Sequence, residues 1–405
     1  MRCILGIYED LGVRTVINVG GSNTRLGGAL VSEDVIDAMS EAAKNSVDMM
    51  QLHAAAGKTI SQITGAESGF VTCGAAAALT QGTAAIITGL DIAKMDRMPD
   101  TRGMKSEVII AREHRNGYDH AIRAAGATLV EVGMNEIFSG AGVRATEAWE
   151  YEAAITENTA AIAYFYRPGS MPPIQEVINV GRKHSIPVLV DAAGQLPPME
   201  NLKKFIAMGA DLVSYSGGKA IRGPQNSGIL AGKKDLIASV VLQHLDLDDH
   251  FDIWDPPPSL ISKEDLPGIP RHGIGRGFKV SKESIVGLLT ALKSFSKEGN
   301  METSQKFHSF LSSIATALAN IPHVDVQMSV SQNPEVYPVL ELTIDEELFG
   351  SNAYEISRKL KYEGDPVVYV SETKLSAGTL VINPMNLNHE RTELAAKRLR
   401  EVLSS

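Results

Sequence analysis

Between about residues 69 and 232, short runs that are apolar throughout alternate with stretches of helical spacing. The segments 70–72, 107–110, 128–132, 161–165, 187–191, 212–216 and 228–230 read as strands. Runs without polar alternation mark strands buried on both faces, as in a mostly parallel sheet covered by helices. Segments 118–125 and 174–184 carry helical spacing and fall between strands. The alternation predicts an α/β fold: a mostly parallel seven-stranded sheet with helices on both faces. From 242 to 270 the pattern breaks. Asp246, Asp248, Asp249, Asp252 and Asp255 crowd ahead of Pro256-Pro257-Pro258, which reads as a loop-rich excursion rather than core. A long helix is expected from about Ser281 past Leu292 and on towards Leu318. The last part mixes strands (337–344, 367–370, 380–383) with helices (353–362, 391–402), a small α+β C-terminal domain. The expected division is 1–16 as an N-terminal segment associated with the small domain, 17–275 as the large domain and 276–405 as the small one.

Composition narrows the classes. The 405 residues suffice for two domains, and 44% hydrophobic with 21% charged residues describes an ordinary soluble globular protein. A net charge of −10 argues against a nucleic-acid surface, which needs a clustered positive field. Cys3 and Cys73 are the two cysteines, no disulfide framework and a fit to a reducing compartment. The apolar run at the start is too short for a signal peptide, and no stretch approaches the ~20 apolar residues that span a bilayer. The expectation is a cytoplasmic protein without nucleic-acid or membrane partners.

Candidate chemistry collects where the predicted strands end. Lys219 follows the run Leu212-Val213-Ser214-Tyr215-Ser216 through Gly217-Gly218, and Asp191 ends the run Val188-Leu189-Val190. They stand twenty-eight residues apart, room for one crossover helix between neighbouring parallel strands. An acid at one strand end and a lysine at the next suit pyridoxal phosphate, with an imine to the lysine and a carboxylate on the ring nitrogen. A lone Asp would be read as a cap or turn former, and most lysines are solvated; the pair carries the reading. Burial would favour the neutral amine that an imine requires. Cys73-Gly74-Ala75-Ala76 opens an alanine-rich helix directly after a strand, so free N–H groups there suit a phosphate, the alternative being a close strand-to-helix turn. Ser214 and Ser216 stand near enough in sequence to reach that phosphate, Gln195 to reach the ring oxygen, and Arg222 to add positive charge. His114 ends another strand and suits ring stacking, with a capping role as the alternative. Its six-residue spacing from His120 fits no metal pattern, and no metal is expected.

Two glycine-rich loops complete the candidates. Asn18, Ser22, Thr24 and Arg25 sit in Ile17-Asn18-Val19-Gly20-Gly21-Ser22-Asn23-Thr24-Arg25-Leu26-Gly27-Gly28, suited to substrate contact. The dinucleotide G-x-G-x-x-G spacing is absent there, and Gly57-Lys58-Thr59 lacks the first glycine of a P-loop. In Arg271-His272-Gly273-Ile274-Gly275-Arg276 the loop is either an anion site, with Arg276 as its contact, or a hinge.

Taken together, Ile17-Asn18, Thr24-Arg25-Leu26-Gly27-Gly28, Thr64-Gly65-Ala66-Glu67, Cys73-Gly74-Ala75-Ala76-Ala77, His114-Arg115-Asn116, Asp191-Ala192-Ala193-Gly194-Gln195 and Ser216-Gly217-Gly218-Lys219 with Gly223-Pro224-Gln225 resemble fold-type I pyridoxal phosphate enzymes, the aspartate aminotransferase superfamily. More narrowly, the chain resembles the selenocysteine synthase-like group that includes D-glucosaminate-6-phosphate ammonia-lyase. The resemblance implies Lys219 as imine lysine, Asp191 as ring-nitrogen partner and His114 as ring-stacking residue. It implies phosphate contacts from Gly74, Ala75 and Ser216, and a homodimer or larger assembly with sites between subunits. The large-domain motifs begin almost at the amino end, leaving little room for an RNA-binding domain, so tRNA is set aside. The function expected is a lyase that eliminates water and ammonia from a small polar amino acid, hydroxylated, with phosphorylated sugar derivatives included in the class, to give a 2-oxo acid. Lys219 would remove the α-proton, with Arg25 and Arg276 as carboxylate or phosphate contacts. Transamination, racemisation and aldol cleavage share the first steps. A non-catalytic anion-binding protein and a metal hydrolase using His244, Asp248, Asp249 and His250 are the alternatives from other classes.

Overall fold

The computed structural model describes residues 6–134, 145–297, 300–329 and 336–404. Cys3 lies outside them. Two compact units divide the chain, one formed by Met1–Leu30 with Lys297–Ser405 and the other by Val31–Ser296. Strand β1 (Ile17–Val19) belongs to the first.

The larger unit is built on β2 (Ser68–Thr72), β3 (Glu107–Ala111), β4 (Thr128–Val132), β5 (Thr159–Phe165), β6 (Val188–Asp191), β7 (Leu212–Ser216) and β8 (Gly228–Gly232). They form one seven-stranded sheet in the order β2-β8-β7-β6-β5-β3-β4. Every neighbouring pair is parallel except those of β8, which runs antiparallel to both β2 and β7. Thr159-Ala160-Ala161-Ile162-Ala163-Tyr164-Phe165 is buried at every position, as a strand covered on both faces must be. The alanine-rich helix Ala75–Thr88 crosses the middle of this sheet. It approaches closely because its Gly82 has no side chain: a Cβ there would stand 3.2 Å from Leu212 Cδ1. All seven predicted strands are present, with ends shifted by at most two residues.

The order of strands fixes what shares an edge. The six mutually parallel strands end on the same side of the sheet, and β8 begins there. At that edge Phe165 lies opposite Asp191, Asp191 opposite Ser214, and Gly228 opposite both Ser216 and Thr72. Open α/β sheets bind ligands along this carboxyl edge.

The excursion after Leu242 departs from expectation. Most of it is turn and irregular chain, yet Trp254, Ile261 and Leu266 bury themselves with Met95, Ala238, Leu242 and Leu245 in a small core of their own. Aspartates and prolines hid the apolar anchors spaced between them.

In the smaller unit β9 (Val324–Ser329), β10 (Val339–Ile344) and β12 (Thr379–Ile382) form an antiparallel sheet in the order β12-β10-β9. Strand β11 (Val368–Val370) pairs in parallel with β1. The helices Asn300–Leu318, Ala353–Tyr362 and His389–Leu403 close one core with these strands. The unit boundaries differ from the expected 17 and 276. Pairing of β1 with β11, and a hydrogen bond from Leu30 N to Asn386 Oδ1 (2.8 Å), draw residues 17–30 into the smaller unit. The helix Lys282–Lys297 stays with the larger one, packing its Leu288 against Gly217 and Gly223. The long helix expected through Leu318 is thus two elements.

Candidate active site

The end of β6 and the loops that follow β2, β3, β5 and β7 bring one group each to the carboxyl edge: Asp191, then Gly74, His114, Arg167 and Lys219. Gly74 has φ +106°, a backbone region that an L side chain rarely adopts, and it caps the helix Ala75–Thr88. The first N–H of this helix used internally is that of Ala78, donating to Gly74 O (3.1 Å), so those of Ala75, Ala76 and Ala77 point outward. Gly228 makes the close approach possible. A Cβ on it would sit 2.5 Å from Gly74 C and 2.7 Å from Ala75 N.

Asp191 accepts a hydrogen bond on Oδ1 from Ala193 N (2.9 Å). Burial pushes its carboxyl above the ordinary value, against the pull of that N–H and of the charges on Lys219 and Arg167. A protonated ring nitrogen would supply the donor that this desolvated group favours. Lys219 is half-buried, and its ammonium makes no hydrogen bond or ion pair among the described residues. Its Nζ lies 3.4 Å from where a Gly194 Cβ would stand, so Gly194 keeps the space beside the amine open. The two glycines ahead of Lys219 are required by packing. A Cβ on Gly217 would meet Ser227 Oγ at 2.2 Å, and one on Gly218 would meet Gln225 Cα at 2.6 Å.

His114 is 6% exposed, and neither ring nitrogen has a hydrogen-bond partner. Burial first, and the positive charge of Arg167 second, lower its pKa to about 4, so the imidazole is neutral at pH 7. Its ring meets Tyr164 edge-on at 4.5 Å. The loop beneath is tied down: Asn116 Nδ2 donates to His114 O (3.0 Å), and Asp119 accepts from Arg115 Nε (2.5 Å) and Arg123 Nη2 (3.0 Å).

Several expected contacts are engaged elsewhere. Ser214 is fully buried and donates to Ala75 O (3.1 Å), so it braces the first helical turn from beneath rather than standing free for a phosphate. Ser216 ends β7 opposite Gly228, half-buried at the cradle, and Gln195 is half-buried with its carbonyl accepting from Asn201 Nδ2 (2.7 Å). Arg276 is ion-paired with Asp246 beside a cavity of about 460 Å³ lined by Asp48, His53, Phe70, His244 and Lys279, among which Lys219, Asp191 and His114 do not occur. In the smaller unit, Asn18 donates to Gly21 O (2.8 Å) and accepts from Gly20 N (2.9 Å), so its amide ties the glycine loop together. Ser22 is half-buried and Thr24 exposed in the same loop. The Arg25 guanidinium pairs with Glu372, which also holds Lys361. For the metal alternative, His244 is half-buried and bonded to Gln81 Oε1 (2.6 Å), and no cluster of three or more His, Cys, Asp or Glu groups suited to a metal occurs among the described residues. No helix among them is long and apolar enough to cross a membrane. Arg167, Tyr164 and Gly228 went unnoticed in the sequence. Arg167 had a usable signal, since it follows the end of an apolar strand as His114 and Lys219 do.

A family model described as SelA, L-seryl-tRNA selenium transferase, matches residues 16–247, more than half of the chain. The chain belongs to the SelA family. It is similar over nearly its whole length to two proteins with different activities. One is a 5'-C-glycyluridine monooxygenase-decarboxylase of Streptomyces sp, 31% identical, with 98% of this chain and 92% of the relative covered. The other is a D-glucosaminate-6-phosphate ammonia lyase of Salmonella typhimurium, 30% identical over 98% and 97%. A solved structure of D-glucosaminate-6-phosphate ammonia-lyase matches with TM-score 0.79 and 29% identity over 98% of both chains. The SelA-family chain is thus a fold-type I pyridoxal phosphate enzyme. The geometry fits the cofactor. A helix N-terminus opened by two glycines suits its phosphate, a desolvated carboxylate its ring nitrogen, and an unpartnered amine its aldehyde.

Proposed function

We propose that this enzyme converts a hydroxylated, phosphorylated sugar-derived amino acid of the D-glucosaminate 6-phosphate type into a 2-oxo acid, with release of ammonia. The observation that carries the reading is the unpartnered Lys219 amine sharing one sheet edge with the buried Asp191 carboxylate. Full-length similarity to the ammonia lyase supplies the substrate class.

Bound pyridoxal phosphate supplies an electron sink for the pair left when the α C–H bond breaks. The residues supply the rest. The N–H groups of Ala75, Ala76 and Ala77 hold the phosphate, with Ser216 beside them and Ser214 keeping the turn in place. Asp191 keeps a proton on the ring nitrogen, and His114, a neutral flat ring in an apolar wall, covers one face. Lys219 gives way to the substrate amine and then takes the α-proton. It returns a proton to the β-hydroxyl, which departs as water. A proton moves from the product's nitrogen to its β-carbon through solvent, and addition of water at the α-carbon then frees ammonia, so the net change is loss of ammonia from a 2-amino-3-hydroxy acid. We further place the enzyme in the cytoplasm as a homodimer or larger assembly; light scattering on the purified chain tests the assembly.

The test uses holoenzyme and Lys219→Ala. Wild type should absorb near ~420 nm, and borohydride should fix the cofactor to Lys219 in the peptide map, while the variant fixes none. D-glucosaminate 6-phosphate should then yield ammonia and a 2-oxo acid equally under nitrogen and in air. Consumption of dioxygen with that yield absent would instead favour the chemistry of the monooxygenase-decarboxylase relative. Failure of both proteins to take up the cofactor would overturn the reading.

A further inference from the structure

The reaction needs a group for the substrate's α-carboxylate, and the first candidates are occupied: Arg25 is held by Glu372 and Arg276 by Asp246. Of the other cations near the edge, Arg112 and Arg115 pair with Glu131, and Arg115 and Arg123 with Asp119. Arg167 differs. Its side chain is exposed, and its guanidinium makes no hydrogen bond or ion pair among the described residues.

Its position is set by the sheet. Phe165 lies opposite Asp191, Tyr166 N donates to Asp191 O (3.0 Å), and Arg167 is the next residue. A tight turn holds the loop, with Arg167 N donating to Ser170 Oγ (3.0 Å) and Ser170 N to Arg167 O (2.9 Å). Tyr164, buried beneath, donates to Pro172 O (2.8 Å) and carries His114 on its ring edge. The positive charge of Arg167 acts on both Asp191 and His114, the two groups assigned to the cofactor ring. In strand order the phosphate cradle lies at β2 and β8, on one side of Asp191, and Arg167 at β5 lies on the other.

We infer that Arg167 is a specificity-determining residue whose guanidinium takes the α-carboxylate of the amino-acid substrate. The inference rests on the pyridoxal phosphate site proposed above. A planar fork with unclaimed donors matches a carboxylate in a bidentate pair, and an uncompensated cation beside the ring loses nothing by accepting one. Selection for amino acids over simple amines would follow, with the substrate's distal phosphate recognised elsewhere.

The experiment compares serine (both enantiomers) with ethanolamine, which keeps the amine and hydroxyl and lacks only the carboxylate. Each is titrated into wild-type, Arg167→Ala and Arg167→Lys holoenzyme, and half-saturation of the absorbance change is read. Arg167→Ala should raise the value for serine about 10–100-fold, the range of one lost charge-assisted pair, and leave ethanolamine within about twofold. Arg167→Lys should recover part of the loss, since a point charge remains without the fork. Melting temperature should not move, because the side chain is exposed and unpartnered. Equal losses for both amines, or an unchanged value for serine, would overturn the assignment. D-glucosaminate 6-phosphate is titrated alongside, and wild-type holoenzyme whose spectrum responds to none of the compounds would overturn the proposed function itself, and this inference with it.

Discussion

Gly228→Ala tests the phosphate cradle without touching any group that does chemistry. Gly228 begins β8 opposite both Thr72 and Ser216, and its φ is ordinary, so alanine brings no backbone strain of its own. The added methyl would lie 2.5 Å from Gly74 C and 2.7 Å from Ala75 N, where ordinary contact starts at 3.4 Å. The overlap is thus about 0.9 Å, and the obstructing atoms are backbone, which cannot rotate away as a side chain can. Overpacking of this kind costs roughly 1–3 kcal/mol, part of it in stability and part in displacement of the helix's first turn. A shift approaching an ångström carries N–H···O distances out of the hydrogen-bonding range. Losing one charged hydrogen bond weakens pyridoxal phosphate by about 10–100-fold. Pyridoxal, which has no phosphate, provides the control. Fluorescence titration of both with wild type and variant, beside thermal melts, gives the comparison. The variant should lose affinity for pyridoxal phosphate while its affinity for pyridoxal changes severalfold at most. Unchanged affinity for the phosphorylated form would refute the cradle, however the melting temperature moves.

Two other perturbations probe the same edge. His114 resists protonation in the fold, with a pKa of about 4, so the unfolded chain binds the extra proton between that value and the ordinary 6.5. Stability should therefore fall as pH drops from about 6.5 towards 4, and His114→Phe, which keeps a flat ring, should flatten that limb in urea titrations; an unaltered limb assigns it to other groups. Asp119 shifts the same way for a different reason: burial opposes its charge, but hydrogen bonds from Arg115 and Arg123 outweigh it and hold the pKa below the ordinary 3.8. Asp119→Asn should cost about 1–3 kcal/mol at neutral pH, discounted for the partly exposed arginines, and the difference from wild type should vanish as pH falls below the folded-state pKa; a deficit that persists in acid would show a packing role alone.

The alternation of apolar runs with helical spacing was enough to read the sheet, because strands buried on both faces cannot hide their composition. Asp191, Lys219, His114 and Gly74 were legible for the same reason: each follows such a run, and a parallel sheet must collect those ends on one edge. Strand order was not legible. Nothing local says that β8 turns back between β2 and β7, which is what places Gly228 against Gly74. Nor does sequence show which polar groups are already spent. Ser214 on Ala75, Arg25 on Glu372 and Arg276 on Asp246 were drawn from the same residue types as the free Arg167. The chain by itself determined the elements, the edge and the chemical inventory, since those depend on local pattern. Only the tertiary structure decided which groups remain unpartnered there, because hydrogen bonding is settled between residues far apart in sequence, and a polar group once paired is no longer available to a ligand.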